Sequence, residues 1–475
     1  MLWLYILMYG SVSQVLTTPL PGIESLSPAC LSGVGDLYRQ AVPEEFFQQL
    51  EKELNLSTRK RIFQLPLVVW MMTTQRLDGK ATLSTAVQQI VELRPQSLLT
   101  DHKRIREKTV SSSTGAYSDA RRAMPVKVAE RVADRVLEHL LLPARREALP
   151  GWNRRVRILD GSSAEMPHTP DLAKAYPPAT NQHGASHWPV MRLLVAHELT
   201  TGLAERPCWG PMYGPGAVSE QSLTEQLLER LEPSVLMADI NFGVFSVAFA
   251  GRQHGHDLLL RLQPNRAGVV GRGLPLTSGT DQQVCWRPSA WDRKQHPELP
   301  ADACVRGRLI VQEVKTSAGT SVTLYFFTTL TLPVEQFLDL YGQRWNVETD
   351  LRSLKQTVKL QVLRCRSVDM IAKELILGVV GYNLVRAVMS AAAEQNQLDP
   401  RRLSFSRCQD VVNAALPGLD AAPTEAEYQV RLARMLKRVA SCKLPDRSRR
   451  SATPRHIWGH APKFPKRKVD APNKS

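Results

Sequence analysis

Between Pro333 and Lys355 the chain carries the pattern that admits the fewest folds. Val334, Phe337, Leu338, Tyr341, Trp345, Glu348, Arg352 and Lys355 recur at steps of three or four, with Pro333 in front, so one long helix is predicted to open there. Within it Tyr341, Arg344, Glu348 and Lys355 lie three, four and seven positions apart, and at about 100° per residue all four fall on one stripe. Asp350, two positions beyond Glu348, points to another face, which leaves Glu348 as the natural catalytic acid of the helix. A helix built only for stability also shows charges at this spacing. It does not require a phenol, a guanidinium, a carboxylate and an ammonium in that order.

A lone carboxylate on a helix does little chemistry, and two upstream aspartates are candidates to join it. Asp160 follows the apolar run Ile158-Leu159 and precedes Gly161-Ser162-Ser163, which reads as a strand meeting a tight turn, with the carboxylate emerging at a sheet edge. Asp239 directly follows Val235-Leu236-Met237-Ala238, a buried strand, and an ionised group placed there is costly unless something pairs with it. Phosphoryl transfer with magnesium needs carboxylates holding two ions ~3.5–4 Å apart, one activating the nucleophile and one stabilising the leaving oxygen. Asp160, Asp239 and Glu348 can supply that set, with Arg344 and Lys355 contacting phosphates and Tyr341 bonding a phosphate or lying near a sugar.

The charge balance agrees with a polyanionic partner. The 61 Lys and Arg outweigh 45 Asp and Glu, for a formal +16, and such an excess favours nucleic acid. Ten of these basic residues fall between Lys443 and Ser475, opposed only by Asp446 and Asp470, so binding should weaken with salt. At 475 residues the chain is too long for one core, and ~150 residues per domain suggests two to four units.

Four stretches are expected. Residues 1–40 are a leader of uncertain role. Its apolar run Met1–Tyr9 lacks the charged lead of a secretory signal and is about half the ~20 residues of a membrane span. Residues 41–150 read as helices, Glu44 to Leu54, Arg61 to Arg76 and Ser84 to Leu93 with Ser84 as cap. They are interleaved with Arg59, Lys60, Arg61, Lys103, Arg104, Arg106 and Lys108, which suits either a DNA-binding domain or a solvated charged face. From Pro150-Gly151-Trp152 to about residue 400 the pattern is α/β: strands at Val156 to Leu159, Met191 to His197, Ser234 to Ala238 and Asp257 to Leu262, and a helix from Ser219 to Leu231 capped by Ser219. Within it, about 264–331 loses the helical signal and reads as a mainly β insertion, and an apolar helix from Ile371 to Ala392 closes the unit. Residues 401–475 form a helical, basic C-terminal region.

Other residues carry less. Cys30, Cys208, Cys285, Cys304, Cys365, Cys408 and Cys442 are odd in number and contain no C-x-x-C, so reduced, mostly buried thiols in a cytosolic protein are expected. His254 and His256 read as loop residues, as do His183 and His187 beside Gly184 and Pro189. No G-x-x-x-x-G-K-[ST] or H-E-x-x-H occurs, which disfavours an ATP-driven helper and a zinc protease.

The ordered set Tyr341, Arg344, Glu348, Lys355 resembles the signature of the DDE transposases of the insertion sequence four family, with its spacing intact. The stretch from Asp160 to Pro170 resembles that family's first-aspartate motif, and Ala238-Asp239-Ile240-Asn241-Phe242-Gly243 its second, with Ile240 in place of a polar or basic residue. The resemblance runs from about Arg157 to Leu360. It implies an RNase H-like catalytic core interrupted by a β insertion before the glutamate helix, and two Mg2+ ions, with Mn2+ able to substitute, on Asp160, Asp239 and Glu348. It also implies cut-and-paste transposition: cleavage at an element's terminal inverted repeats, then attack of the freed 3′-hydroxyl on target DNA, typically through hairpin ends. In such relatives an insertion tryptophan can hold a displaced base; Trp286 and Trp291 are the candidates here, each equally suited to packing. A homodimeric synaptic complex, a nucleoid-associated place in the bacterial cytosol and no membrane are expected. The alternative is a catalytically silent, transposase-derived DNA-binding protein, and a nuclease without joining activity is a third possibility.

Overall fold

A computed structural model of the chain describes residues 33–445 apart from 57–61, 80–81, 93–97, 100–101, 143–153, 182–183 and 316–320. The run Met1–Tyr9, the basic residues Arg59, Lys60 and Arg61, the break at Pro150-Gly151-Trp152, His183 and the tail from Asp446 lie outside the described residues.

Helices α1 (Val34–Ala41), α2 (Glu44–Glu53), α3 (Leu65–Leu77), α4 (Leu83–Val91), α5 (Lys103–Arg106), α6 (Gly115–Ala123) and α7 (Val126–Leu141) come first. The cap of α4 is Thr82 rather than Ser84: the Thr82 backbone is extended and its hydroxyl accepts the Thr85 N–H at 3.1 Å, which leaves Ser84 inside the first turn. Lys103, Arg104, Arg106 and Lys108 are exposed on and just after α5.

The strands β1 (Val156–Glu165), β4 (Val190–Glu198), β5 (Cys208–Pro211), β6 (Val235–Ala238), β7 (Asp257–Leu262), β8 (Thr280–Trp286), β9 (Val305–Lys315) and β10 (Ser321–Thr328) build one sheet in the order β5-β4-β1-β6-β7-β10-β9-β8. The short β2 (Thr180–Asn181) and β3 (Gly184–Ala185) pair separately. β1, β6 and β7 are mutually parallel, and the other pairings in the large sheet are antiparallel.

The central strands read as continuous apolar runs because both faces are covered. One face carries Leu159, Leu194, Leu236, Ala238 and Leu260 under helices α9 (Glu220–Leu228), α10 (Phe245–Gln253) and α11 (Pro264–Gly271). The opposite face carries Ile158, Val195, Met237 and Leu259, and joins a core that includes α3, α7 and the 28-residue helix α15 (Val368–Gln395). α15 is long and apolar enough to cross a membrane, but the relevant window is 83% buried inside the protein. Its uniform apolarity follows from being enclosed on all sides. α16 (Phe405–Asp420) and α17 (Glu425–Ala440) pack against it, and α8 (Pro170–Ala175) lies between β1 and β2.

Three sequence expectations need correction. β1 does not stop at Asp160 but runs through Gly161-Ser162-Ser163 to Glu165, because β4 pairs it along the whole length, Asp160 opposite Val195 and Glu165 opposite Val190. The stretch 264–331 holds α11 and the short α12 (Ala290–Gln295) besides its strands, and β8, β9 and β10 extend the same sheet. The thiols are not all reduced: the antiparallel register sets Trp286 opposite Val305, which brings the neighbouring Cys285 and Cys304 into a disulfide with Cα atoms 6.1 Å apart. Cys208, Cys365, Cys408 and Cys442 are free.

Candidate active site

Strand register brings the two aspartates together. Leu159 of β1 and Ala238 of β6 are direct partners in a parallel pair, so Asp160 and Asp239 occupy the next position on adjacent strands, which lie about 4.8 Å apart. Side chains alternate along a strand. Leu159 and Ala238 face α9 and α10, so both carboxylates turn to the face that carries Ile158 and Met237.

That face also receives the glutamate helix. α13 (Val334–Gly342) runs into a 3-10 turn, Gln343–Trp345, then α14 (Asn346–Arg352), then a π turn, Ser353–Thr357. The single even helix expected from the spacing is therefore corrected to four segments of different pitch. The tighter 3-10 turn lies between Tyr341 and Glu348, and the wider π turn carries Lys355. The path is imposed from both sides. The Tyr341 ring stands edge-on to Phe326 of β10 at 4.7 Å, and Val347, Leu351 and Leu354 are buried in the same core. After the π turn the Leu363 N–H donates to the Glu165 carbonyl and the Glu165 N–H to the Gln361 carbonyl, each at 2.9 Å, which extends β1 sideways.

The charges of these groups act on one another. The Asp160 carboxyl is pushed up to about 7 by burial first and by the Asp239 charge second, against Arg344 and a 2.8 Å bond from the Gly161 N–H, which hold it down. The Glu348 carboxyl is also raised by burial, although Arg344 and Arg352 oppose the shift, and Asp239 again adds to it. Arg344 lies 3.9 Å from Glu348 and stacks over Trp345 at 4.6 Å. Its Nε and the Tyr341 hydroxyl are buried without hydrogen-bond partners. Burial raises the Tyr341 phenol further. The Asp239 Oδ1 accepts the Asn241 N–H at 2.9 Å, which fixes the strand end. Lys355 is half-buried in the π turn.

Sequence reasoning missed Glu220, the first residue of α9. Its carboxylate lies over Gly161, where an added Cβ would come within 2.6 Å of Glu220 Cγ, and Arg192 pairs with it at 3.5 Å. Burial and then Asp239 raise its carboxyl, against Arg192. Arg192, Glu220, Gln221 and Asn241 line an open cleft of about 520 Å³ beside the Asp239 loop. The only signal was an acid after the Ser219 cap, which is ordinary for a helix start.

The other candidates divide. Asp350 is fully buried, and not part of the carboxylate group. Trp286 is a packing residue, 3% exposed between Phe245 and Phe327, whereas Trp291 is 63% exposed on α12. His256 is buried and accepts the Ser234 N–H at 3.1 Å. His187 stacks on His168.

Carboxylate oxygens are hard donors suited to Mg2+ or Mn2+. A buried Asp160 pressed by its neighbour's charge is the arrangement an arriving cation relieves. Among the described residues no three His, Cys, Asp or Glu side chains are drawn tightly enough to hold an ion as they stand. The donor set fits a divalent cation in chemistry, with Glu348 turned towards Arg344.

A family model described as the transposase DDE domain matches residues 151–384. All six residues singled out in the sequence lie inside that span. Over 448 residues, 91% of this chain and 93% of the relative, the chain is 26% identical to transposase InsG for insertion sequence element IS4 of Escherichia coli (strain K12). Among solved structures it is similar to a piggyBac transposase in a synaptic complex with hairpin DNA, at 10% identity, covering 89% of this chain and 87% of that one with a TM-score of 0.40.

Proposed function

Residues 151–384 belong to the transposase DDE domain family, and nearly the whole chain is similar to an insertion sequence four transposase; from that premise we propose that the protein cuts DNA at the ends of an insertion sequence and joins them to target DNA. The observation that carries the reading is the register of β1 and β6. It sets Asp160 beside Asp239 on the sheet face to which the Glu348 helix is packed. The strand order β5-β4-β1-β6-β7, with parallel pairing through β1, β6 and β7, supports an RNase H-like core.

In this reading Asp160, Asp239 and Glu348 would hold two Mg2+ ions, or Mn2+ in their place. Bound there, the ions supply activation of the attacking oxygen and stabilisation of the leaving one. The protein's own groups do the rest. Arg344 moves from Glu348 to a substrate phosphate, for which its unpartnered Nε is available, and thereby frees the carboxylate. Tyr341 offers its hydroxyl to the same backbone, and Lys355 adds a charge about two turns beyond Glu348. The exposed basic residues around α5 and the basic C-terminal tail hold DNA outside the site, and two copies of the chain bring two ends together in the bacterial cytosol.

Single replacement of Asp160, Asp239 or Glu348 by Ala is expected to abolish excision of the cognate element from a plasmid while gel-shift binding to its ends persists. Normal excision by the Glu348 variant sinks the assignment.

A further inference from the structure

Glu348 is held loosely for a residue on which a reaction depends. Its side chain is 40% exposed, and its ion-pair partner is Arg344 at 3.9 Å. The segment that carries it, α14, has seven residues with an irregular turn on either side, so its place cannot come from helical continuity. Its polar anchor is Asp350, two positions on and completely buried.

Arg401 Nη1 donates to both Asp350 carboxylate oxygens at 2.7 Å, and Arg386 of α15 donates to Oδ1. Each arginine is in turn fixed to another part of the fold. Arg401 Nε donates to the Leu199 carbonyl at 2.9 Å and its Nη2 to the Glu198 carbonyl at 3.0 Å, at the end of β4. Arg386 Nε donates to the Tyr382 hydroxyl at 2.9 Å, and that hydroxyl donates to the Gly202 carbonyl at 2.8 Å. Gly202 leaves room for both guanidiniums: a Cβ there would come within 2.6 Å of Arg401 Nη1 and 3.1 Å of Arg386 Cζ.

β4 is the strand paired with β1, and Val195, opposite Asp160, is three residues before Glu198. One carboxylate thus ties the glutamate segment to the strand pair that carries the first aspartate, through a residue of the segment beyond position 400. Two arginines on one buried carboxylate leave an excess positive charge, and apolar packing of similar volume stabilises a fold at least as well. What a charged clamp adds is directional fixation.

We propose that Asp350 is a positioning residue for Glu348, and that the Asp350–Arg386–Arg401 clamp lets the chain beyond residue 400 set metal binding at the candidate site. The proposal rests on the reading of Asp160, Asp239 and Glu348 as the metal-holding carboxylates.

The test uses the full chain with Arg401→Gln, Arg401→Lys and, in parallel, Glu348→Gln. Mn2+ binding is titrated by electron paramagnetic resonance without DNA, binding to the element's ends is measured without metal, and melting is followed by circular dichroism. Loss of a residue that orients a metal ligand weakens metal binding roughly 10–100-fold. Arg401→Gln is expected to weaken Mn2+ binding about tenfold. Arg401→Lys keeps the charge but loses the fork, so about threefold is expected. End binding should stay at the wild-type level in both. Arg401→Lys keeps the experiment decisive should Arg401→Gln melt early. Wild-type Mn2+ affinity in a folded Arg401 variant overturns the clamp while leaving the carboxylate reading intact. Wild-type affinity in Glu348→Gln overturns the carboxylate reading, and the clamp with it.

Discussion

The two aspartates and the glutamate reach the site by different physical means. Asp160 and Asp239 are placed by backbone: each follows one half of the Leu159–Ala238 pair, and a parallel ladder allows them no other relative position. Glu348 is placed by side chains. Its helix changes pitch three times within fifteen residues, Tyr341 to Lys355, and is held by ties reaching far along the chain. Arg76 of α3 donates to the Val358 and Lys359 carbonyls at 3.1 and 2.6 Å, just past the π turn, and pairs with Glu374 of α15 at 2.7 Å. Glu374 accepts the Arg364 and Cys365 N–H groups at 2.9 and 2.8 Å. A register is rigid, whereas a set of side-chain ties can yield. The carboxylate that pairs with Arg344 is therefore held by side-chain ties rather than by a strand register.

If that contrast holds, removing a carboxylate from either side should have the same chemical consequence. Ala at Asp160, Asp239 or Glu348 is expected to lower excision by about 10³-fold or more, measured as plasmid product against time. The sides should separate in stability. Arg76→Ala leaves Glu374 buried without its cationic partner and removes a donor from the Val358 and Lys359 carbonyls, and breaking a buried pair this way costs about 3–5 kcal/mol. Denaturant unfolding should detect it. A loss below about 1 kcal/mol would mean that the Arg76 ties contribute little to holding the glutamate helix.

The asymmetry also explains what could be read in advance. Asp160 and Asp239 were legible because each ends an apolar run, and the Tyr341, Arg344, Glu348, Lys355 spacing was legible because it recurs locally. The pitch changes were not, since they come from the Phe326 contact, the Leu363–Glu165 pairing and the Arg76 bonds, all with distant residues. Asp350 was correctly set on another face, but its partners Arg386 and Arg401 lie 36 and 51 positions away, and spacing cannot join them. The run through Gly161-Ser162-Ser163 looked like a turn because its residues favour turns; nine consecutive pairs with β4 override that preference. The disulfide depended on the register of β8 and β9 in the same way.

A smaller effect tests the aspartate side by pH. The Asp160 carboxyl is raised from an ordinary value of 3.8 to about 7 by burial and by Asp239. A group raised on folding contributes stability that is present below the unfolded value and lost as pH rises through the folded one. Without divalent cations, the protein should therefore lose stability between about pH 4 and pH 7 through this residue. The ceiling is about 4 kcal/mol, at roughly 1.4 kcal/mol per pH unit. In Asp160→Asn that slope should flatten. An unchanged slope would mean that Asp160 is not the strained carboxylate, and Glu220 becomes the next residue to replace.

The smallest effect concerns how much the register side tolerates. Gly161 sits in extended β1 beneath Glu220, so Gly161→Ala strains no dihedral and only drives a methyl against Glu220, whose Cγ lies 2.6 Å from the added Cβ. The obstacle is a flexible side chain bordering the 520 Å³ cleft, so it can swing aside at the loss of its contact with Arg192, and the cost should stay near 1 kcal/mol. A double-mutant cycle isolates the clash, because in a Glu220→Ala background Gly161→Ala should be almost neutral. A cost that persists there would place the strain in the β1–β4 ladder itself. The backbone that fixes Asp160 would then itself resist the change, as a rigid register requires, and the expected tolerance at Gly161 would be lost.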